Sequence, residues 1–154
     1  MQLRDEIELT VGRINGDFGT ISHTAISYLH QGYPREEMVA LYLAADVMLV
    51  TALRDGMNLV AKEYVASRFD NDGVLILSEF AGAADELKRA LLINPHDIDG
   101  LKESILGAIH MPIAERRARM KALRRRVLDN DVEKWSNEFL KVVTESRALR
   151  DTKG

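Results

Sequence analysis

The stretch "DVMLVTALRDGMNLVAKEYVASR", residues 46–68, decides the fold. Val47 to Val50 are apolar without interruption. A strand that alternates polar and apolar is wet on one face. One that does not is covered on both, which is the pattern of a parallel strand held between helices. The residues after Met57 change register to a helical spacing, and between strand and helix stands "LRDGMN". A bare connector needs only a turn. This one carries a carboxylate, Asp55, with Gly56 and Asn58, where a helix would present unpaired N–H groups, and a second carboxylate, Glu63, one turn later.

Two similar units follow downstream. "GVLILS" is a strand, with its run over 74–77, followed by "EFAGAADEL". "ALLIN" is a third strand, with its run over 90–93, followed by "PHD" and the helix "IDGLKESILGAIH". Strands alternating with helices predict an α/β domain with a Rossmann-like, doubly wound parallel sheet and helices on both faces. Upstream, residues 3–14 read as the end of an amphipathic helix through Leu3, Ile7 and Val11, broken by "NGDFG". "AISYLHQ" is a short strand candidate. "PREEMVALYLAAD" reads as a helix started by Pro34, with Met38, Leu41 and Tyr42 on one face. Residues 112–150 form a helical tail, with Pro112 at the start of one helix and Asp131 a candidate cap of the next.

The 154 residues suffice for one domain with a real core. A net charge of −3 gives no cationic field to recruit nucleic acid or an anionic membrane. There is no cysteine, which rules out disulfides and thiolate metal sites and fits a cytoplasmic setting. His23, His30, His96 and His110 show no ligand spacing, so neither a metal nor a cofactor is expected. No apolar run reaches the length of a membrane span, and the charged N-terminus "MQLRDEIELT" does not read as a secretory signal.

In an open parallel sheet, ligands sit beyond the carboxyl ends of the strands. The loops "RDGMN", "SEFAGAA" and "NPHD" fall there. The first leads straight into a helix, so N–H groups near Met57 to Val60 form an anion site aided by the helix dipole, and a diphosphate is a reasonable occupant. Glu63 lies on the face of Leu59, and helical side chains lean toward the N-terminus. It could therefore accept hydrogen bonds from the hydroxyls of a ribose joined to that diphosphate. Asp55 and the Gly56–Asn58 backbone could meet a sugar on the other side.

The strings "VGRINGDFGT", "YLHQ", "LYLAADVMLVTALRDGMNLVAKEYVASR", "GVLILSEFAGAADEL" and "ALLINPHD" resemble the trehalose-6-phosphate synthase family over nearly the whole chain. These are retaining glycosyltransferases with two Rossmann domains, the GT-B type. The resemblance implies transfer of glucose from UDP-glucose to glucose 6-phosphate without a metal ion. It implies that Asp55, assigned the catalytic place, binds the donor glucose hydroxyls with the backbone of Gly56, Met57 and Asn58. It further implies that Leu59 and Val60 N–H groups bind the diphosphate, that Ala61 and Lys62 complete the segment, and that Glu63 accepts from the ribose. Tyr33 and Met38 match the region along the uracil.

There are departures. The family shows Trp and Pro where His23 and Ala25 stand, and Pro in place of Ala52. The family's enzyme is also considerably longer. The expectation is that residues 1–154 are a partial donor domain, a fragment or split gene product lacking the N-terminal acceptor domain and an Arg and a Lys for the diphosphate. Such a piece would be inactive alone, and could pair with a separate N-terminal half or form a homo-oligomer. The rival reading is a non-catalytic nucleotide-sugar-binding or regulatory module. The basic cluster Arg116, Arg117, Arg119, Lys121, Arg124, Arg125 and Arg126 reads as a solvated helix face, and Trp135 with Phe139 as packing of the last helix.

Overall fold

The computed structural model describes residues 2–130 and 132–151, with side chains except at 132, 135, 138 and 145–151. The candidate cap Asp131 and the Trp135 side chain therefore lie outside the described residues. The chain divides into two units, Met1–Pro34 and Arg35–Gly154.

In the first unit, helix α1 spans Gln2–Phe18 and buries none of its residues. It runs through "NGDF", past the break expected after residue 14. The reason is local. A side chain at Gly12 or Gly16 would meet nothing within 4 Å, so neither glycine serves a turn and each only lowers helix propensity. The helix stops at Gly19, whose N–H donates to the Asn15 carbonyl at 2.9 Å and whose Cβ, if it had one, would be driven into that same oxygen. Asn15 also clamps the following chain, donating to the Ile26 carbonyl at 2.9 Å and accepting the Ile26 N–H at 2.8 Å. "AISYLHQ" is not a strand. A strand needs a neighbour to complete its ladder, and no described residue pairs with it. The Gln31 amide donates to the Tyr33 hydroxyl at 2.8 Å.

The second unit holds helix α2 (Arg35–Ala44), strand β1 (Val47–Val50), helix α3 (Leu59–Ser67), strand β2 (Val74–Ser78), a 3-10 turn (Gly82–Asp85) and strand β3 (Leu91–Ile93). Helices α4 (Ile98–Ile109), α5 (Ile113–Asp129) and α6 (Val132–Asp151) follow. The three strands are parallel in the order β1-β2-β3, with Val47 opposite Val74 and Ile76 opposite Leu91. Successive side chains point to opposite faces. Leu75 and Leu77 enter one core with Tyr42, Tyr64, Val65, Met120 and Leu123, under α2, α3 and α5. Val74 and Ile76 enter the other with Ile93 and Ala108, under α4. Every residue of β2 is buried, as an uninterrupted apolar run requires. The flanking strands are covered less well than expected. Leu49 of β1 is 40% exposed and Leu92 of β3 41%, because each lies on an outer strand of a three-stranded sheet. On α2, Tyr42 is buried and Met38 packs against the core, but Leu41 is 44% exposed, a quarter-turn away from Tyr42.

A buried arginine ties these layers together. The Arg68 side chain donates through one nitrogen to the carbonyls of Tyr42, Leu43 and Ala45 at 3.1, 3.1 and 2.6 Å, and pairs with Asp70 at 2.9 Å. It thereby satisfies the last carbonyls of α2, which no helical N–H can reach. Its guanidinium lies over the Tyr64 ring, 5.8 Å from the centroid. Burial pushes the Tyr64 phenol up to about 12, so it stays protonated and donates to the Ala45 carbonyl at 3.3 Å. The basic face of α5 is only partly solvated. Arg116 pairs with Asp72, Arg119 reaches Glu115 and the Arg89 carbonyl, and Arg124 donates to the Ala66 carbonyl. Arg116 and Arg119 thus fasten α5 to the segments that lead into β2 and β3, and Arg124 fastens it to α3. Among the described residues no helix is long and apolar enough to cross a membrane.

Candidate functional site

The loops after β1 and β2 are sewn together beyond the carboxyl ends of the strands. The Asp55 N–H donates to the Phe80 carbonyl at 3.2 Å, Gly82 N–H to the Asp55 carbonyl at 3.1 Å, and Ala83 N–H to the Met57 carbonyl at 2.7 Å. This continues the parallel ladder one step past the sheet, with Asp55 opposite Ala81. Gly82 makes the approach possible: a Cβ there would be driven into the Gly56 carbonyl oxygen.

Within the first loop the polar side chains hold the backbone. The Asp55 carboxylate accepts the Met57 N–H at 3.0 Å and the Asn58 amide at 3.1 Å. The Met57 bond first, then Asn58, holds its pKa below the ordinary carboxylate value. Asn58 sits in the left-handed region at φ 71°, which asparagine tolerates better than most residues, and its side-chain oxygen caps α3 by accepting the Ala61 N–H at 2.9 Å. The N–H groups of Leu59 and Val60 have no hydrogen-bond partner among the described residues. Both residues are exposed.

The choice of cap has an electrostatic consequence. Helix α4 begins with Asp97, whose carboxylate accepts the Gly100 N–H at 3.0 Å and brings a negative charge to that helix mouth. Helix α3 is capped by a neutral amide, so the positive end of its dipole meets no charge from its own cap. Of the two helices, α3 alone has a neutral cap, so its two free amides meet no counter-charge from the cap itself.

The remaining expected site residues divide. Ala61 is fully buried and contributes its backbone only. Lys62 does not point to solution: it pairs with Glu86 at 2.8 Å and ties α3 to the segment after the 3-10 turn. Glu63 is exposed, and one carboxylate oxygen accepts the Tyr42 hydroxyl at 3.1 Å. Met38 is half-buried on α2, and Tyr33 is half-buried in the first unit. Asp55 to Glu63 thus lie on one continuous turn and helix start. Sequence reasoning missed Tyr42, Gly82 and Arg68 as builders of this site. A signal existed for the first: a tyrosine on the apolar face of a helix needs a partner for its hydroxyl. Among the described residues no three His, Cys, Asp or Glu side chains gather to hold a metal ion.

A parallel sheet between helices, with a glycine turn feeding a helix mouth at its carboxyl end, defines a Rossmann-like α/β fold, the arrangement of GT-B glycosyltransferase structures. Residues 1–145 match Glycosyltransferase family 20, and the chain belongs to that family. It is 54% identical over 145 residues to trehalose-6-phosphate synthase of Mycobacterium avium, a match covering 94% of this chain and 30% of the relative. It superimposes with a TM-score of 0.87 on a UDP-forming α,α-trehalose-phosphate synthase from Burkholderia xenovorans in complex with glucose 6-phosphate, at 46% identity over 93% of this chain and 32% of that one. An Escherichia coli protein bound with UDP-2-fluoro glucose gives a TM-score of 0.86 at 43% identity, covering 91% of this chain and 31% of the other. The chain spans about 30% of the length of the curated relatives it matches.

Proposed function

We propose that this chain is the donor-binding part of a trehalose-6-phosphate synthase, which transfers glucose from UDP-glucose to glucose 6-phosphate with retention. The observation that carries the reading is the pair of unpartnered amides, Leu59 and Val60, at a neutrally capped helix mouth, flanked by Asp55 and Glu63. The amides take the diphosphate, and their dipole stabilises the charge that grows on it as the glycosidic bond breaks. Asp55 and the Gly56–Asn58 backbone take the glucose, and Glu63 takes the ribose. Met38, on α2 in the same unit as Glu63, lies along the uracil. In a retaining transfer on one face of the sugar, the departing diphosphate assists removal of the proton from the incoming hydroxyl. The protein's task is then to hold donor and acceptor together. Both substrates are phosphorylated metabolites, so the reading places the reaction in the cytoplasm.

The acceptor site, and the Arg and Lys implied for the diphosphate, belong to the part of the relatives that this chain does not span. The 154 residues by themselves are therefore expected to bind UDP weakly and to turn nothing over. A chimaera in which residues 1–145 replace the matching segment of a family member is expected to be active. A steady-state assay with UDP-glucose and glucose 6-phosphate checks both. Ordinary turnover by the 154 residues would overturn the division of labour, and a folded chimaera that fails to bind UDP would overturn the donor reading.

A further inference from the structure

We propose that Tyr42 is a positioning residue for the donor nucleoside, fixing the Glu63 carboxylate so that its second oxygen is presented to the ribose diol. This rests on the reading of Glu63 as the ribose acceptor given above. The two residues are 21 apart in sequence and meet only because α2 packs on α3. The Tyr42 hydroxyl donates to one oxygen of Glu63 at 3.1 Å, and the other oxygen has no partner among the described residues.

Tyr42 is itself held at both ends. Its ring is buried, edge-on to Tyr64 with centroids 6.2 Å apart. Its carbonyl accepts from Arg68, whose guanidinium is buried and also grips Leu43, Ala45 and Asp70. The phenol therefore cannot swing, while a glutamate on an exposed helix face would otherwise sample several rotamers. Burial first, and the neighbouring Glu63 carboxylate next, raise the Tyr42 phenol above its ordinary value. At neutral pH it is a donor and never competes with the ribose as an anion. A single oxygen fixed in place is suited to a cis diol, whose two hydroxyls both donate.

The test uses the chimaera, with KM for each substrate and kcat measured separately. Tyr42→Phe keeps the ring and removes the hydroxyl. It is expected to raise KM for UDP-glucose about three- to tenfold, leaving kcat and the KM for glucose 6-phosphate within about twofold. In a Glu63→Ala background the same change should add nothing, because the two act as one unit. With a donor whose ribose lacks the hydroxyls, the Tyr42→Phe effect should vanish. Where turnover is too slow to follow, calorimetric titration with UDP reads the same ratios. If Glu63→Ala leaves donor affinity unchanged, the ribose reading of Glu63 falls and this proposal with it. If Glu63→Ala weakens the donor but Tyr42→Phe does not, the proposal alone falls. Equal losses toward both substrates would mark Tyr42 as a structural residue only and would equally overturn it.

Discussion

Gly56 and Gly82 stand on neighbouring loops at the same end of the same sheet, and their uses are opposite. Gly82 is half-buried and lies against the Gly56 carbonyl, with no room for a methyl group. Gly56 is exposed, does not adopt a left-handed φ, and would place a Cβ where nothing lies within 4 Å. The fold accounts for one glycine and leaves the other unexplained by anything in the chain. A residue kept bare where neither conformation nor packing asks for it suggests a surface shaped to meet something else, and the donor sugar is the occupant proposed above.

The contrast is broken most severely at Gly82. In Gly82→Ala the new methyl meets backbone rather than a side chain that could turn aside. The three bonds that join the loops would have to open: Asp55 to Phe80, Gly82 to Asp55 and Ala83 to Met57. A loss of about 2–4 kcal/mol is expected, which for a chain of this size lowers Tm by about 5–12 °C in a calorimetric scan. A Tm within about 2 °C of wild type would mean that the loops are not docked as described.

Asp55 comes next, because its carboxylate holds the turn on which Gly56 rides. Its pKa is lowered in the folded chain by the Met57 N–H and the Asn58 amide. A depressed carboxylate contributes stability that is complete above its unfolded pKa, about 4, and is lost as pH falls through the folded value. Wild type should therefore lose Tm on acidification below about pH 4 more steeply than Asp55→Asn, which cannot present a charge to either donor. Other carboxylates, Asp72 with Arg116 among them, titrate equally in both proteins and cancel in the difference. Parallel acid limbs would show that Asp55 does not hold the turn.

Much of this architecture was legible in the sequence, for a physical reason. Residues 74–77 are apolar without alternation and form a strand buried on both faces, whereas Val47–Val50 carries the same pattern at the edge of the sheet and leaves Leu49 exposed. The turn at 53–58 was legible because Asp, Gly and Asn each satisfy or release backbone N–H groups in a known way. What escaped notice depends on partners distant in sequence. "AISYLHQ" has the composition of a strand, but composition does not supply a neighbour. Gly12 and Gly16 look like breakers, yet a glycine breaks a helix only where something else competes for the backbone. Lys62 was placed only by resemblance in the donor segment, and its pairing with Glu86 comes from folding; Tyr42 read as part of an apolar helix face until Glu63 met its hydroxyl. Gly82 was quoted within its motif, but its role depends on a carbonyl 26 residues upstream, which no periodicity reveals.

The smallest expected change in stability comes from Gly56→Ala, and it sharpens the comparison most. The added methyl points into open space, and the unfolded chain loses freedom, so stability should move by no more than about 1 kcal/mol and toward a gain. Binding should separate from folding. If the bare backbone at Gly56 meets the glucose, then Gly56→Ala in the chimaera should weaken UDP-glucose markedly and UDP much less, because UDP carries no hexose. Competitive titration of the two ligands against the same chimaera measures that ratio. Equal weakening of both would move Gly56 from the sugar to the diphosphate. A loss of Tm as large as that of Gly82→Ala would mean the loop packs against part of the protein after all, and the distinction between the two glycines would disappear.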